Sequence, residues 1–267
     1  MWLTIPPLTG YIQTKVTNTF LEKLTAKWKE GKFVCVGLDC ADFNLNKSII
    51  DQTFDLVCAY KPNSAFYEGA GVSGLTSLKK TVDYIHQKDP DMPVILDAKR
   101  GDIGNTNEEY AKSAFDDLGA DAMTVHPYLG KEALQPFLNR KDRGIFVLVR
   151  TSNPGAGEFQ DLEVSGKPLY QVVAEHVKKW NTNENCAVVA GATFPDKLKR
   201  VREIVGDMPI LIPGVGTQGG NVSDAVQAGK DSKNQGIIIN SSRGIIFAPN
   251  PREATLNLHQ EIGESLK

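Results

Sequence analysis

A closed (β/α)8 barrel, eight parallel strands each followed by helix, is the fold that this sequence predicts, and three observations predict it. Eight short apolar runs recur along the 267 residues, each continuous rather than alternating, as in strands covered on both faces. Segments between them place apolar residues three and four apart, and strand alternating with helix implies a parallel sheet. The length suits one closed barrel better than an open doubly wound sheet, and no GxGxxG follows the first run.

Residues 1–267 are read as one domain, an α/β barrel with its active site at the C-terminal ends of the strands and residues 1–32 a helical segment closing the bottom. The strands are expected at 33–38, 56–60, 93–96, 122–125, 145–149, 187–190, 210–212 and 236–239. Helices are expected over 75–86, 108–118, 169–180 and 197–205, where the apolar spacing is helical. Connections are short except for the polar stretch from Ser152 to Pro168, and a segment that long is usually functional or mobile.

The hydrophobic fraction of 41% supplies a core without a metal or disulfide staple. A net charge of −2 provides no basic stripe for nucleic acid, although a small anion needs only a few local cations. The N-terminus, Met1-Trp2-Leu3-Thr4-Ile5-Pro6-Pro7, lacks the basic and apolar regions of a signal peptide, and no run has the ~18 apolar residues of a membrane span. Cys35, Cys40, Cys58 and Cys186 form no CxxC pair, and three of them fall in apolar runs, as small buried hydrophobes do. A reducing cytoplasm fits this pattern.

Catalytic groups in such a barrel sit where strands end, and here nearly every strand ends in residues a core would not tolerate. The first runs into Asp39, the second ends at Lys61-Pro62-Asn63, and the third at Asp97-Ala98-Lys99-Arg100-Gly101-Asp102-Ile103. His126-Pro127 follows the fourth, and Arg150-Thr151-Ser152 the fifth. Asp97 and Lys99 are two apart on an extended strand, so alternation points both to the barrel mouth, where Asp39 and Lys61 can join them. A salt-bridge cluster closing the barrel top is the plain alternative. Buried ion pairs are costly to desolvate, however, so several at successive strand ends make a poor stability device.

The last two strands end differently, in the glycine-rich stretch 214–220 and in Asn240-Ser241-Ser242-Arg243-Gly244. Glycines let a ligand approach the backbone N–H groups, Arg243 adds a guanidinium fork, and barrels of this kind commonly bind phosphate after strands seven and eight. With Gln218, these residues predict a phosphate site.

The run from Asp97 to Ile103 resembles the D-x-K-x-x-D-I motif of the orotidine 5′-phosphate decarboxylase family, a pattern specific at superfamily level because related barrels carry D-x-K-x-x-D. The resemblance extends from Gly37-Leu38-Asp39 through Tyr60-Lys61-Pro62-Asn63 to residues 213–220 and Arg243-Gly244, and Lys61 to Glu68 looks like the longer bacterial-type branch. It implies a cofactor-free carboxy-lyase making UMP, the last step of de novo pyrimidine synthesis. It further implies that Asp39 hydrogen-bonds the ribose, Lys61 bridges the ribose and the charged array, Asp97 faces the substrate carboxylate, and Lys99 protonates C6. Ser152 would contact the pyrimidine, and Gln218, Arg243 and Gly244 the 5′-phosphate. Asp102, with Asp97, would hold Lys99 charged and oriented, and Asp102, Ile103 and Thr106 would reach the partner's site in a homodimer, while Thr106 also reads as a cap for the helix over 108–118.

The residues leave two rival readings. A Mg²⁺-dependent sugar-phosphate lyase of the same superfamily, of the hexulose-phosphate synthase kind, usually has an acidic metal ligand where this chain has Lys61. A non-catalytic nucleotide-binding barrel would need the phosphate site but not the charged array.

Overall fold

The computed structural model describes residues 18–216 and 218–267, so residues 1–17 of the expected N-terminal segment lie outside the description. Eight parallel strands form, at Val34–Leu38, Val57–Pro62, Ile95–Arg100, Ala122–Val125, Gly144–Arg150, Cys186–Ala190, Ile210–Pro213 and Ile237–Ser241. Ladders join them in the order second, first, eighth, seventh, sixth, fifth, fourth, third. Bridges Tyr60↔Val94 and Asn63↔Asp97 link the second strand to the third and close the ring.

Every predicted run became a strand, but strands two, three and eight continue into polar sequence. Lys61 stays in register with Gly37 and Asn240 with Cys35, so backbone pairing carries on after hydrophobicity stops. Hydrophobicity marks only the part of a strand that lines the core. Strands one, two, five and six are buried at every residue, as covering on both faces requires.

The helix Leu169–Trp180 has the expected bounds, and the runs over 75–86 and 197–205 lie within Gly71–Lys88 and Pro195–Val205. The helix expected over 108–118 starts earlier, at Gly104, runs to Ala111, and continues as a π turn over Lys112–Asp117. Thr106 is therefore inside the helix and is not its cap. Extended Ile103 holds the cap position, and the buried Asn107 side chain ties down the preceding turn through the N–H and carbonyl of Asp102.

At the bottom lies the helix Phe20–Lys29, begun by a capping box between Thr19 and Glu22. Phe20 meets Phe146 edge-on with centroids 5.5 Å apart, and the Trp28 indole N–H donates to the Ile237 carbonyl at 2.9 Å. Lys23 Nζ lies 2.8 Å from the buried Asp121, which also accepts from the Val94 N–H and meets His86 Nε2, both at 2.9 Å. These contacts hold the helix against the N-terminal ends of strands four, five and eight.

The long segment after strand five carries structure of its own. A 3-10 turn Pro154–Ala156 and a short helix Gly157–Gln160 precede a hairpin between Glu163–Val164 and Lys167–Pro168. All four cysteines are free, and burial pushes the thiols of Cys35 and Cys186 up to about 12. Among the described residues no helix is long and apolar enough to cross a membrane.

Candidate active site

The C-terminal ends of the strands open into a cleft of about 1530 Å³. Asp39, Lys61, Asp97 and Lys99 from the first three strands share one wall of it. Lys61 Nζ lies 2.8 Å from Asp97 Oδ2, and Lys99 Nζ 2.6 Å from Oδ1, so one carboxylate serves two ammonium groups. Burial would raise the pKa of Asp97, but Lys61 and Lys99 outweigh it and hold the carboxyl well below the usual range. Burial likewise pulls Lys61 down, while Asp97, Asp39 and Cys35 together hold it above its ordinary value. Both groups are therefore charged near neutrality. Lys61 is only 4% exposed, whereas the Lys99 side chain, at 44%, opens to the cleft.

Asp97 and Lys99 meet as expected, but not through regular alternation. Leu96 pairs with Met123 and Arg100 with Val125, so three residues, 97–99, stand opposite Thr124 alone. Lys99 takes a left-handed backbone at φ 47°, which costs a side-chain-bearing residue about 1–3 kcal/mol. The Thr124 hydroxyl accepts the Lys99 N–H and donates to Asp97 Oδ1, both at 2.9 Å.

Across the cleft, Ser152, Gln218 and Gly214 crowd together. A Cβ at Gly214, whose φ is 96°, would lie 3.0 Å from Gln218 Oε1 and 3.4 Å from Ser152 Oγ. The 214–220 stretch offers fewer free donors than its glycines suggested. The N–H groups of Gly216, Gly219 and Gly220 donate to Gly220, Gly216 and Gly214 carbonyls and hold the loop's own turn. Arg243 lines the cleft, exposed and without an ion pair among the described residues.

The cleft thus gathers Asp39, Lys61, Asp97, Lys99, Ser152, Gln218 and Arg243, whereas Asp102, Ile103, Thr106 and Gly244 do not line it. Within this chain Lys99 pairs with Asp97 and not with Asp102, and Ile103 is 58% exposed. Sequence reasoning missed Thr124 and Gln160 and gave no role to His126, Asn240 and Ser242, all of which line the cleft. Asp39 Oδ1, Asn240 Oδ1 and Ser242 Oγ are buried with no hydrogen-bond partner among the described residues. Polar atoms so placed are costly unless a ligand meets them. Asn240 and Ser242 were visible as polar residues at a strand end, whereas Thr124 reads as an ordinary strand residue and gave no signal.

Known proteins carry the same framework. The family model described as Orotidine 5'-phosphate decarboxylase / HUMPS family matches residues 32–258. A protein named orotidine 5′-phosphate decarboxylase from Janthinobacterium sp. is 49% identical over 246 residues, covering 86% of this chain and 90% of that protein. One of the same name from Cellvibrio japonicus is 45% identical over 269 residues, covering 91% and 98%. The solved structure of Leishmania donovani OMP decarboxylase superposes with a TM-score of 0.88 at 38% identity, covering 93% of this chain and 98% of that one. Leishmania donovani UMP synthase gives 0.90 at 40% identity, and there the match covers 94% of this chain but only 57% of the longer protein. With the family model spanning most of the residues and relatives approaching half identity, the chain belongs to the orotidine 5′-phosphate decarboxylase / HUMPS family.

Proposed function

We propose that this chain, working as one barrel domain over 1–267 in the cytoplasm, decarboxylates orotidine 5′-phosphate to UMP without a cofactor. The observation that carries the reading is the shared carboxylate: Asp97 lies between buried Lys61 and cleft-facing Lys99, at 2.8 and 2.6 Å. Loss of CO₂ breaks the bond from C6 to the carboxylate carbon and leaves the electron pair on C6, where no neighbouring group delocalises it. Stabilisation must then be electrostatic, from a charge already in place. Lys99 supplies it, transfers a proton from Nζ to C6, and regains one from solvent. Asp97, held ionised, orients Lys99 and faces the substrate carboxylate.

The remaining residues position the substrate. Asp39 and Lys61 take the ribose and Ser152 the pyrimidine, while Gln218, Arg243 and the Gly244 backbone hold the 5′-phosphate. Phosphate binding far from the reacting bond supports the chemical step by ordering the 214–220 loop over the site. Asp102, Ile103 and Thr106, which lie off their own cleft, complete the neighbouring site of a homodimer; the exposed Ile103 side chain is consistent with that placement.

The family name also covers sugar-phosphate enzymes. A divalent cation site there needs clustered oxygen ligands, and an ammonium 2.8 Å from Asp97 opposes one here. A binding protein without chemistry would have no use for the charged array.

Absorbance near the orotidylate band, followed in EDTA for wild type and Lys99→Ala, tests the proposal. The band should be lost rapidly with wild type and about a thousandfold or more slowly with the variant. An inert wild type would refute the reaction, and an active Lys99→Ala the assigned proton donor.

A further inference from the structure

Lys99 has an improbable backbone. It is a side-chain-bearing residue at φ 47°, in a place where three residues of the third strand face one of the fourth. Regular pairing would give its N–H to a backbone carbonyl of the neighbouring strand, and here that N–H goes to a side chain instead. The acceptor is Thr124, 1% exposed and itself part of the cleft wall.

A hydroxyl has one proton to donate and lone pairs to accept with. Thr124 uses both functions on the same pair of residues. It accepts from the Lys99 backbone at 2.9 Å and donates at 2.9 Å to Asp97 Oδ1, the oxygen that meets Lys99 Nζ at 2.6 Å. The two ends of Lys99, its amide and its ammonium, are thereby tied to one small hydrogen-bonded ring through Thr124 and Asp97. Valine has the same shape and would suit a strand at this buried position, so the hydroxyl is the part of the residue that needs explaining.

We propose that Thr124 is a positioning residue for Lys99: its hydroxyl replaces the missing ladder bond, holds the left-handed backbone, and aims the ammonium into the cleft. The inference rests on the assignment of Lys99 as the group that serves C6. It adds that the bulge is a device rather than an accident, since bulges beside active sites re-aim side chains.

Thr124→Val and Thr124→Ser test it together. With orotidine 5′-phosphate as substrate, Thr124→Val should lower kcat about a hundredfold, as a displacement of about an ångström does, with KM and the affinity for UMP within about threefold. Thr124→Ser, which keeps the hydroxyl, should recover kcat to within about threefold of wild type. A merely structural role would not give that division, because it would lower stability in both variants or move KM with kcat. Wild-type turnover in Thr124→Val, or Ser no better than Val, would overturn the proposal. A crystal structure of Thr124→Val decides the matter whether or not the enzyme turns over this substrate. Lys99 should leave positive φ or its Nζ should move away from Asp97, and an unchanged Lys99 would refute the positioning role. An inert wild type would count against the assigned reaction and leave that structural result to stand on its own.

Discussion

Asp97 is the residue on which the other charges depend, and its ionisation sets how the protein responds to pH. Its folded pKa lies below the unfolded value of about 3.9, so its contribution to stability is present above about pH 4 and is lost as pH falls through the folded value. Lys61 is the opposite case: raised in the fold, it stabilises fully below its unfolded value of about 10.4, and that share is lost as pH rises through the folded value. Removing Lys61 leaves burial of Asp97 opposed by Lys99 and the Thr124 hydroxyl alone. Lys61→Met should therefore destabilise by about 3 kcal/mol at pH 7, the usual cost of stripping one partner from a buried pair. The penalty should shrink toward pH 4, because Asp97 in the variant takes up its proton at higher pH than in wild type. Urea unfolding at the two pH values measures it, and an equal penalty at both would mean that Lys61 does not hold Asp97 ionised.

The strands were legible because a barrel strand buried on both faces leaves an unbroken apolar run, and the run over 122–125 even has the observed bounds. The motif residues were legible because Asp97 and Lys99 are charges where a core tolerates none. What was not legible depends on partners distant in sequence. The bulge at Lys99 needs a hydroxyl 25 residues away, and three glycine N–H groups of the loop after strand seven donate within the loop itself. The segment after strand five is a third case, since nothing local says that it is tethered. Asp161 does this, pairing with Arg150 at 3.1 and 3.2 Å and with Lys197 at 2.5 Å, while Arg150 stacks 4.6 Å from the Phe194 ring centroid. Arg150 is 3% exposed, so it depends on that carboxylate. Asp161→Ala should cost about 1–3 kcal/mol and release residues 153–168, which bring Asn153, Phe159 and Gln160 to the cleft wall. Amide hydrogen exchange should quicken about tenfold or more over that segment and little in the barrel strands, with KM for orotidine 5′-phosphate rising. Unchanged exchange would show that the segment is held by something else.

At the scale of the whole molecule, the barrel separates what holds it together from what it does. At the bottom, Asp121 is 3% exposed and joins the helix Phe20–Lys29, the helix Gly71–Lys88 and the start of strand three through Lys23, His86 and the Val94 N–H. At the top, Arg243 is exposed at the cleft and makes no ion pair among the described residues, so the fold has little use for its charge. Substitutions at the two ends should therefore have opposite signatures. Asp121→Asn leaves Lys23, 8% exposed, without its counter-charge, which should cost about 3–5 kcal/mol and, for a chain of this size, lower Tm by about 10 °C. Its kcat at 25 °C should stay within about twofold of wild type, because the cleft lies at the other end of the strands. Arg243→Ala should keep Tm within about 2 °C and lose about a thousandfold or more in kcat/KM, if the phosphate contact proposed for it supports the chemical step. Thermal unfolding and steady-state rates on the same two preparations decide the question. If folded Asp121→Asn were slow, or if Arg243→Ala kept its rate, stability and catalysis would not be divided along the barrel axis as the two charge sets imply.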